Sequence, residues 1–185
     1  MKNILVAGIF GLSLAACTPA SDGAAEAPAE DITAEAAVTA NVIADLGGEP
    51  SGPIYTENKD DVIAVSGYDT VSYFIGDGVQ VLGSAEFTVK YQGYEYHFAN
   101  AENAATFIED PAQYVPQYGG YCAWALGAND ALAPGNAEVY EIVDGKLYLN
   151  FSEDVKVNWV KDIPGFIEKA DANYPTHTPD EHYKG

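Results

Sequence analysis

The stretch AEFTVKYQGYEYHF, Ala85 to Phe98, and the run from Asn100 to Pro111 behind it decide the fold. Gln92-Gly93 divides an alternating aromatic and apolar run in two. That predicts a tight hairpin, since glycine accepts the positive φ such turns require. A two-residue turn there opposes Tyr91 to Tyr94, Lys90 to Glu95, Val89 to Tyr96 and Phe87 to Phe98. One face is then apolar and aromatic, and the other carries an opposite-charge pair. Asn100 is an N-cap ahead of a helix from Ala101 to about Glu109, with Ala104, Phe107 and Ile108 on its buried stripe. Asp110-Pro111 ends that helix, because a residue before proline resists helical geometry.

Further along, Val139 to Val143 and Lys146 to Asn150 flank Asp144-Gly145, a strong type I′ turn signal. Tyr140 and Ile142 share a face with Leu147 and Leu149. Ser152 is an N-cap with Glu153 and Asp154 in the first turn, where acids favour the helix dipole. That helix turns Val155 and Trp159 inward. Pro164 opens another, carrying Phe166, Ile167 and Ala170 and ending before Tyr174-Pro175. Hairpins followed by short helices predict an α+β fold with a small antiparallel sheet. The linear sequence presents neither an internal repeat nor a glycine-rich phosphate loop.

Working back from this domain, the N-terminus changes character. Met1 to Asn3 is a short positive start, and Ile4 to Ala16 is an apolar run. It is too short to span a bilayer, which takes about 20 apolar residues. It ends in Leu14-Ala15-Ala16-Cys17, which resembles the lipobox of bacterial lipoproteins, with Cys17 as the lipidated residue. Residues 1–16 are therefore read as a signal peptide, removed on export. From Thr18 to about Thr39 the chain is nearly all Ala, Glu, Pro, Asp, Ser, Gly and Thr. Such a segment cannot bury enough apolar surface to offset its ordering entropy. Residues 17–53 read as a flexible acidic tether, although Val42, Ile43 and Leu46 could make one helical turn. The domain is then 54–175, with a C-terminal tail over 176–185.

The whole chain of 185 residues holds 8 Lys plus Arg against 28 Asp plus Glu, a net charge of −20. Losing Lys2 with the signal leaves 7 against 28, or −21. Every basic residue is lysine. A nucleic-acid partner needs a basic surface and is excluded on this balance. Acidic lipid headgroups would repel the domain, so a membrane is reached through lipid on Cys17. The expected location is the periplasmic face of a bacterial membrane, the outer one.

Four segments together resemble the exported YHS-domain proteins: Gly67-Tyr68-Asp69-Thr70-Val71-Ser72-Tyr73-Phe74; Phe98-Ala99-Asn100-Ala101-Glu102-Asn103; Tyr114-Val115-Pro116-Gln117-Tyr118-Gly119-Gly120-Tyr121-Cys122-Ala123; and Asp144 to Asn150. The resemblance spans about Ile54 to Pro175. It implies a metal-linked module related to treble-clef zinc folds. In metal-binding relatives, one cysteine falls in the segment similar to Asp69–Ser72 and two near the strand-to-helix junction. The matching positions here are Ser72, Ala99 and Asn103. None is a thiolate, so the sulfur-rich tetrahedral set that structural zinc prefers is not available there.

With Cys17 taken by lipid, Cys122 is the one cysteine left, and no intrachain disulfide can form. Its thiol suits a soft metal such as Cu(I). The metal reading takes Cys122 with His97, Asp69, Tyr73 and Tyr121 as donors, for copper or zinc. The plainer readings stand beside it. Cys122 is equally a small buried hydrophobe. His97 lies on the Glu95 side of its strand, a solvated position. Asp69 is a helix N-cap before Val71 to Phe74. His177 and His182, beside Asp180 and Glu181, could ligate a metal or belong to a frayed tail. Three functions follow. One is a lipoprotein that binds or traffics a soft metal; another is a non-catalytic adaptor that docks an envelope protein. The third, a thiol enzyme built on Cys122, lacks a visible oxyanion motif, so the chain is read as not an enzyme.

Overall fold

A computed structural model describes residues 42–181. The readings for Cys17, the signal peptide, the tether up to Asn41 and His182 fall outside that span.

The first hairpin forms as its turn chemistry dictates. Strand β2 (Ser84–Tyr91) pairs antiparallel with β3 (Tyr94–Phe98) around Gln92 and Gly93, whose φ values are 55° and 84°. Tyr91 opposes Tyr94, Lys90 opposes Glu95, and Val89 opposes Tyr96. The expected Phe87–Phe98 pair does not form. An irregularity between Ser84 and Thr88 moves Phe98 opposite Ser84, because the extra residues Ala85 to Phe87 on β2 shift everything beyond them. Lys90 and Glu95 make the charge pair at 3.3 Å. Strand β1 (Val42–Asp45) adds to β2 in parallel, so this sheet is mixed rather than purely antiparallel. Residues 42–53, expected in the tether, thus contribute a strand and, at Gly52 and Pro53, buried chain.

Helix α1 (Ala101–Glu109) follows, with Asn100 Oδ1 accepting from Asn103 N at 2.9 Å. It buries Ala104 and Phe107 against Tyr96 and Phe98, with ring centroids 5.0 Å apart in both pairs. Short helix α2 (Pro111–Tyr114) restarts after Asp110. Helix α3 (Ala123–Asn129) precedes the second hairpin, β4 (Asn136–Val143) and β5 (Lys146–Asn150), turned at Asp144 and Gly145. Helices α4 (Glu153–Trp159, capped by Ser152) and α5 (Ile163–Asn173, capped by Asp162) close the domain. The α+β class holds.

The two halves are built on one plan, contrary to the expectation of no repeat. In the first, Ala64–Gly67 makes a tight 3-10 turn with Val65 and Ser66 at positive φ, and Tyr68 N donates back to Val65 O. In the second, Gln117–Gly120 does the same with Tyr118 and Gly119, and Tyr121 N donates to Tyr118 O. The next residue is Asp69 in one and Cys122 in the other. Asp69 N donates to Val81 O at 2.8 Å, and Cys122 N to Ala133 O at 2.9 Å. Each half then runs through a hairpin of equal register. Ser84 opposes Phe98 beyond the first irregularity, and Asn136 opposes Asn150 beyond the second. A capped helix follows in each, its aromatic residue packed on a strand tyrosine: Phe107 on Tyr96 and Trp159 on Tyr148, at 5.0 and 5.7 Å. A second helix follows each from an aspartate N-cap, Asp110 directly at the end of α1 and Asp162 shortly after the end of α4.

The core is correspondingly double. One cluster joins Val71, Tyr73, Val89, Tyr96, Phe98 and Phe107, with Leu147 and Leu149 of β5 reaching into it. The other joins Tyr118, Ala123, Leu126, Tyr148, Trp159 and Ala170. Strand β5 is buried on both faces and welds the two halves together.

Candidate functional site

Asp69 is fully buried and its carboxylate is saturated. Oδ1 accepts from Val71 N at 2.9 Å and Ser72 N at 3.2 Å; Oδ2 accepts from Ala99 N at 2.9 Å and Asn103 Nδ2 at 2.7 Å. The helical turn is a short 3-10 piece, Ser72–Phe74, whose N-cap position is Val71 and not Asp69 as expected; Asp69 instead holds the N–H groups of Val71 and Ser72 from just before the turn and ties them to the β3–α1 junction. The three positions that the resemblance aligns with thiolates, Ser72, Ala99 and Asn103, all converge on this one carboxylate. A clip of hydrogen bonds stands where relatives use sulfur ligands.

Cys122 occupies the corresponding place in the second half. It is fully buried. Its Sγ accepts from Ala125 N at 3.5 Å and faces Asn150 Oδ1 at 3.8 Å, and the backbone N–H groups of Trp124 and Phe151 also turn toward it. Burial pushes its thiol up, and those N–H groups work in the opposite direction.

His97 is 9% exposed, which corrects the solvated reading. Gly67 and Gly83 lie against it; a side chain on Gly67 would meet the imidazole in ordinary contact, and one on Gly83 would collide with the His97 backbone. Its Nε2 is buried without a hydrogen-bond partner, 4.0 Å from Glu95 Oε2. Burial lowers its basicity, against the opposing pull of Glu95 and Asp61. It lines a cavity of about 250 Å³ with Glu57, Asp61, Ser66 and Leu82. A neighbouring cavity of about 340 Å³ shares Glu57 and Ser66 and adds Tyr68, Glu138 and Phe151. Sequence reasoning missed this pair of cavities, which are assembled from five separate segments.

Tyr73 is committed elsewhere: its hydroxyl donates to Ala137 O at 2.8 Å, and its ring packs edge-on against Tyr140 at 4.7 Å. Burial pushes its hydroxyl far above the ordinary phenol range. Tyr121 is buried edge-on to Tyr55 at 5.6 Å. The described part of the tail, 176–181, is tied down rather than frayed, with His177 Nδ1 2.9 Å from Glu181 Oε2 and Nε2 3.0 Å from Asp130 Oδ1. Both ring nitrogens are thus engaged by carboxylates, which leaves no free lone pair for a metal.

Among the described residues, no three His, Cys, Asp or Glu side chains cluster in a way that could hold an ion. Asp69 spends both oxygens on N–H donors, Tyr73 spends its hydroxyl on a carbonyl, and Cys122 faces N–H groups instead of a second ligand. The expected set Cys122, His97, Asp69, Tyr73 and Tyr121 does not fit a preformed copper or zinc centre.

Residues 75–118 match the family model of the YHS domain, a domain type associated with metal binding. No curated protein and no solved structure matches the chain. The matched span covers most of the first half and stops before Gly119-Gly120-Tyr121-Cys122, so it is narrower than the resemblance from Ile54 to Pro175.

Proposed function

Starting from the YHS domain that the chain carries, we propose a non-catalytic binding protein, held by lipid on Cys17 at the periplasmic face of a bacterial outer membrane. Its domain docks another envelope protein. The observation that carries this reading is the Asp69 clip. Ser72, Ala99 and Asn103 serve a hydrogen-bonded carboxylate there, so the fold is held without a metal at that place. The acidic surface and the lack of arginine support a protein partner over a nucleic acid.

One observation favours a second reading, soft-metal handling. Burial holds the Cys122 thiol up, and the backbone N–H groups of Ala125, Phe151 and Trp124 work against it, toward the thiolate that a soft metal needs. A single pair of measurements separates the two. Site-specific photocrosslinking of the full lipidated chain in envelope membranes is expected to give a discrete adduct, unchanged by Cys122→Ala. Anaerobic Cu(I) and Zn(II) titration of the same protein is expected to give no one-to-one complex. A stoichiometric complex lost in Cys122→Ala overturns the adaptor reading in favour of metal trafficking.

A further inference from the structure

The two halves differ in what lies across their strained turns. In the second half the chain itself is docked there. Tyr55 N donates to Gly119 O at 2.9 Å, Tyr174 hydroxyl donates to Pro53 O at 2.9 Å, and Ile54 is buried beside them. An extended segment, Gly52-Pro53-Ile54-Tyr55, thus straps the left-handed turn so closely that a side chain on Gly119 would collide with Pro53 O. In the first half the counterpart of Gly119 is Ser66, at φ 51°. Among the described residues no backbone N–H donates to Ser66 O, and the two cavities flank it.

The lining of that open groove has a definite chemistry. Leu82 at 64% and Phe151 at 53% exposure present apolar surface to water. Glu57, Asp61 and Glu138 supply carboxylates, and no lysine lines either cavity. Glu138 also accepts from Tyr68 hydroxyl at 2.7 Å, which fixes its carboxylate at the rim. His97 is buried at the far wall with Nε2 unsatisfied. The tether's own residues 18–40 carry Asp22, Glu26, Glu30, Asp31 and Glu35 and no basic residue, so like charge disfavours them as occupant.

We infer that the groove over Ser66 binds an extended, basic-flanked apolar segment of a partner protein, as the segment 52–55 binds over Gly119. A backbone N–H of the partner donates to Ser66 O, one apolar side chain lies between Leu82 and Phe151, and lysine or arginine side chains meet Glu57, Asp61 and Glu138. This rests on the docking function proposed above and names its site and partner chemistry.

The test uses the full chain in detergent and a fluorescein-labelled hexapeptide, Lys-Gly-Pro-Ile-Tyr-Lys, read by anisotropy. Saturable binding is expected. It should weaken by about tenfold in each of Leu82→Glu and Glu57→Lys, both surface changes that leave the core intact. The same peptide with aspartate in place of its two lysines is expected not to bind. Absence of saturable binding, equal binding of the aspartate peptide, or unchanged affinity in both variants overturns the assignment. Photocrosslinking then tells the two failures apart. If the envelope adduct survives in Leu82→Glu and Glu57→Lys, docking stands but this groove is not its site; if no adduct forms even in the unaltered chain, the docking function falls as well.

Discussion

Asp69 and Cys122 are counterparts, each the residue after a Gly-Tyr pair at the entrance to a helical turn. Asp69 collects N–H groups from Val71, Ser72 and Ala99, and Cys122 Sγ accepts from Ala125 N and faces Asn150 Oδ1, which itself accepts from Trp124 N. In both halves a side-chain acceptor at this point ties the incoming turn to the junction between the second hairpin strand and its helix. The two solutions differ in strength, because a charged carboxylate makes stronger hydrogen bonds than a thiol. In the first half the junction is fastened by hydrogen bonds to a carboxylate.

Removing the Asp69 carboxylate leaves Val71 N, Ala99 N and Asn103 Nδ2 without their acceptor, while Ser72 N keeps the Asp69 backbone carbonyl. Asp69→Ala is expected to cost about 3–5 kcal/mol in urea unfolding, and Asn103→Ala about 1–2 kcal/mol, since only one partner is lost. If Asp69→Ala unfolds at the same urea midpoint as the unaltered chain, the clip is not what holds this junction.

The strained turns respond unequally to exchange. Ser66→Gly introduces the residue that suits its positive φ, and is expected to be neutral or stabilising by up to about 1 kcal/mol. Gly119→Ser meets Pro53 O directly and is expected to destabilise by more than about 2 kcal/mol. Thermal denaturation of both variants checks the pair, and an equal response in the two would contradict the asymmetric strap.

Cys122 is expected to resist alkylation by iodoacetamide in the native protein and to react promptly in denaturant, because its sulfur is fully buried. Its folded value is raised above the ordinary 9.0. Between that value and the raised one, the unfolded thiol ionises while the folded thiol does not. Its contribution to stability is therefore complete below pH 9.0 and declines as the pH rises toward the raised value. Cys122→Ala should flatten that alkaline decline in urea titrations made across the window.

The tail carries the opposite kind of switch, close to neutrality. The hydrogen bond to Glu181 holds His177 above its ordinary value of 6.5; burial opposes it, and Asp130 adds to the rise. The docked tail is stabilised fully below pH 6.5, and this contribution is lost as the pH rises through the raised folded value. An NMR titration of the His177 ring in the unaltered chain, beside Asp130→Asn, should show a lower midpoint in the variant. An identical midpoint would mean that Asp130 does not hold the ring in solution.

A chelator supplies the simplest check on the metal question. Dialysis of the full chain against EDTA is expected to leave its melting temperature unchanged, and added Zn(II) to leave it unchanged again. A rise of several degrees with Zn(II) would indicate a site that the described donors do not form.

Local order was legible in the sequence because it is set by neighbours along the chain. Asn100, Ser152, Gln92-Gly93 and Asp144-Gly145 each act within four residues, and each sits where its chemistry puts it. The α+β class followed from them. The duplication was hidden because matching residues are few and scattered: Gly67 and Gly120, Tyr68 and Tyr121, Gly83 and Gly135, Tyr96 and Tyr148. The offset also changes by one residue between the second and third of these pairs. What the halves share is a set of backbone conformations and hydrogen bonds, which very different side chains can satisfy. His97 was misread for a related reason. Alternation says which side of the strand it faces, but only the packing of Ile63, Gly67 and Gly83 over that side decides that the face is buried. By itself, then, the sequence determined the hairpins, the helix caps at Asn100 and Ser152, and the charge, all properties of a few adjacent residues or of the whole composition. The tertiary structure alone decided that Asp69 meets Asn103, that Cys122 is sealed, and that one strained turn is strapped while the other stands open. Those outcomes depend on which distant segments come into contact, and short-range chemistry does not encode that.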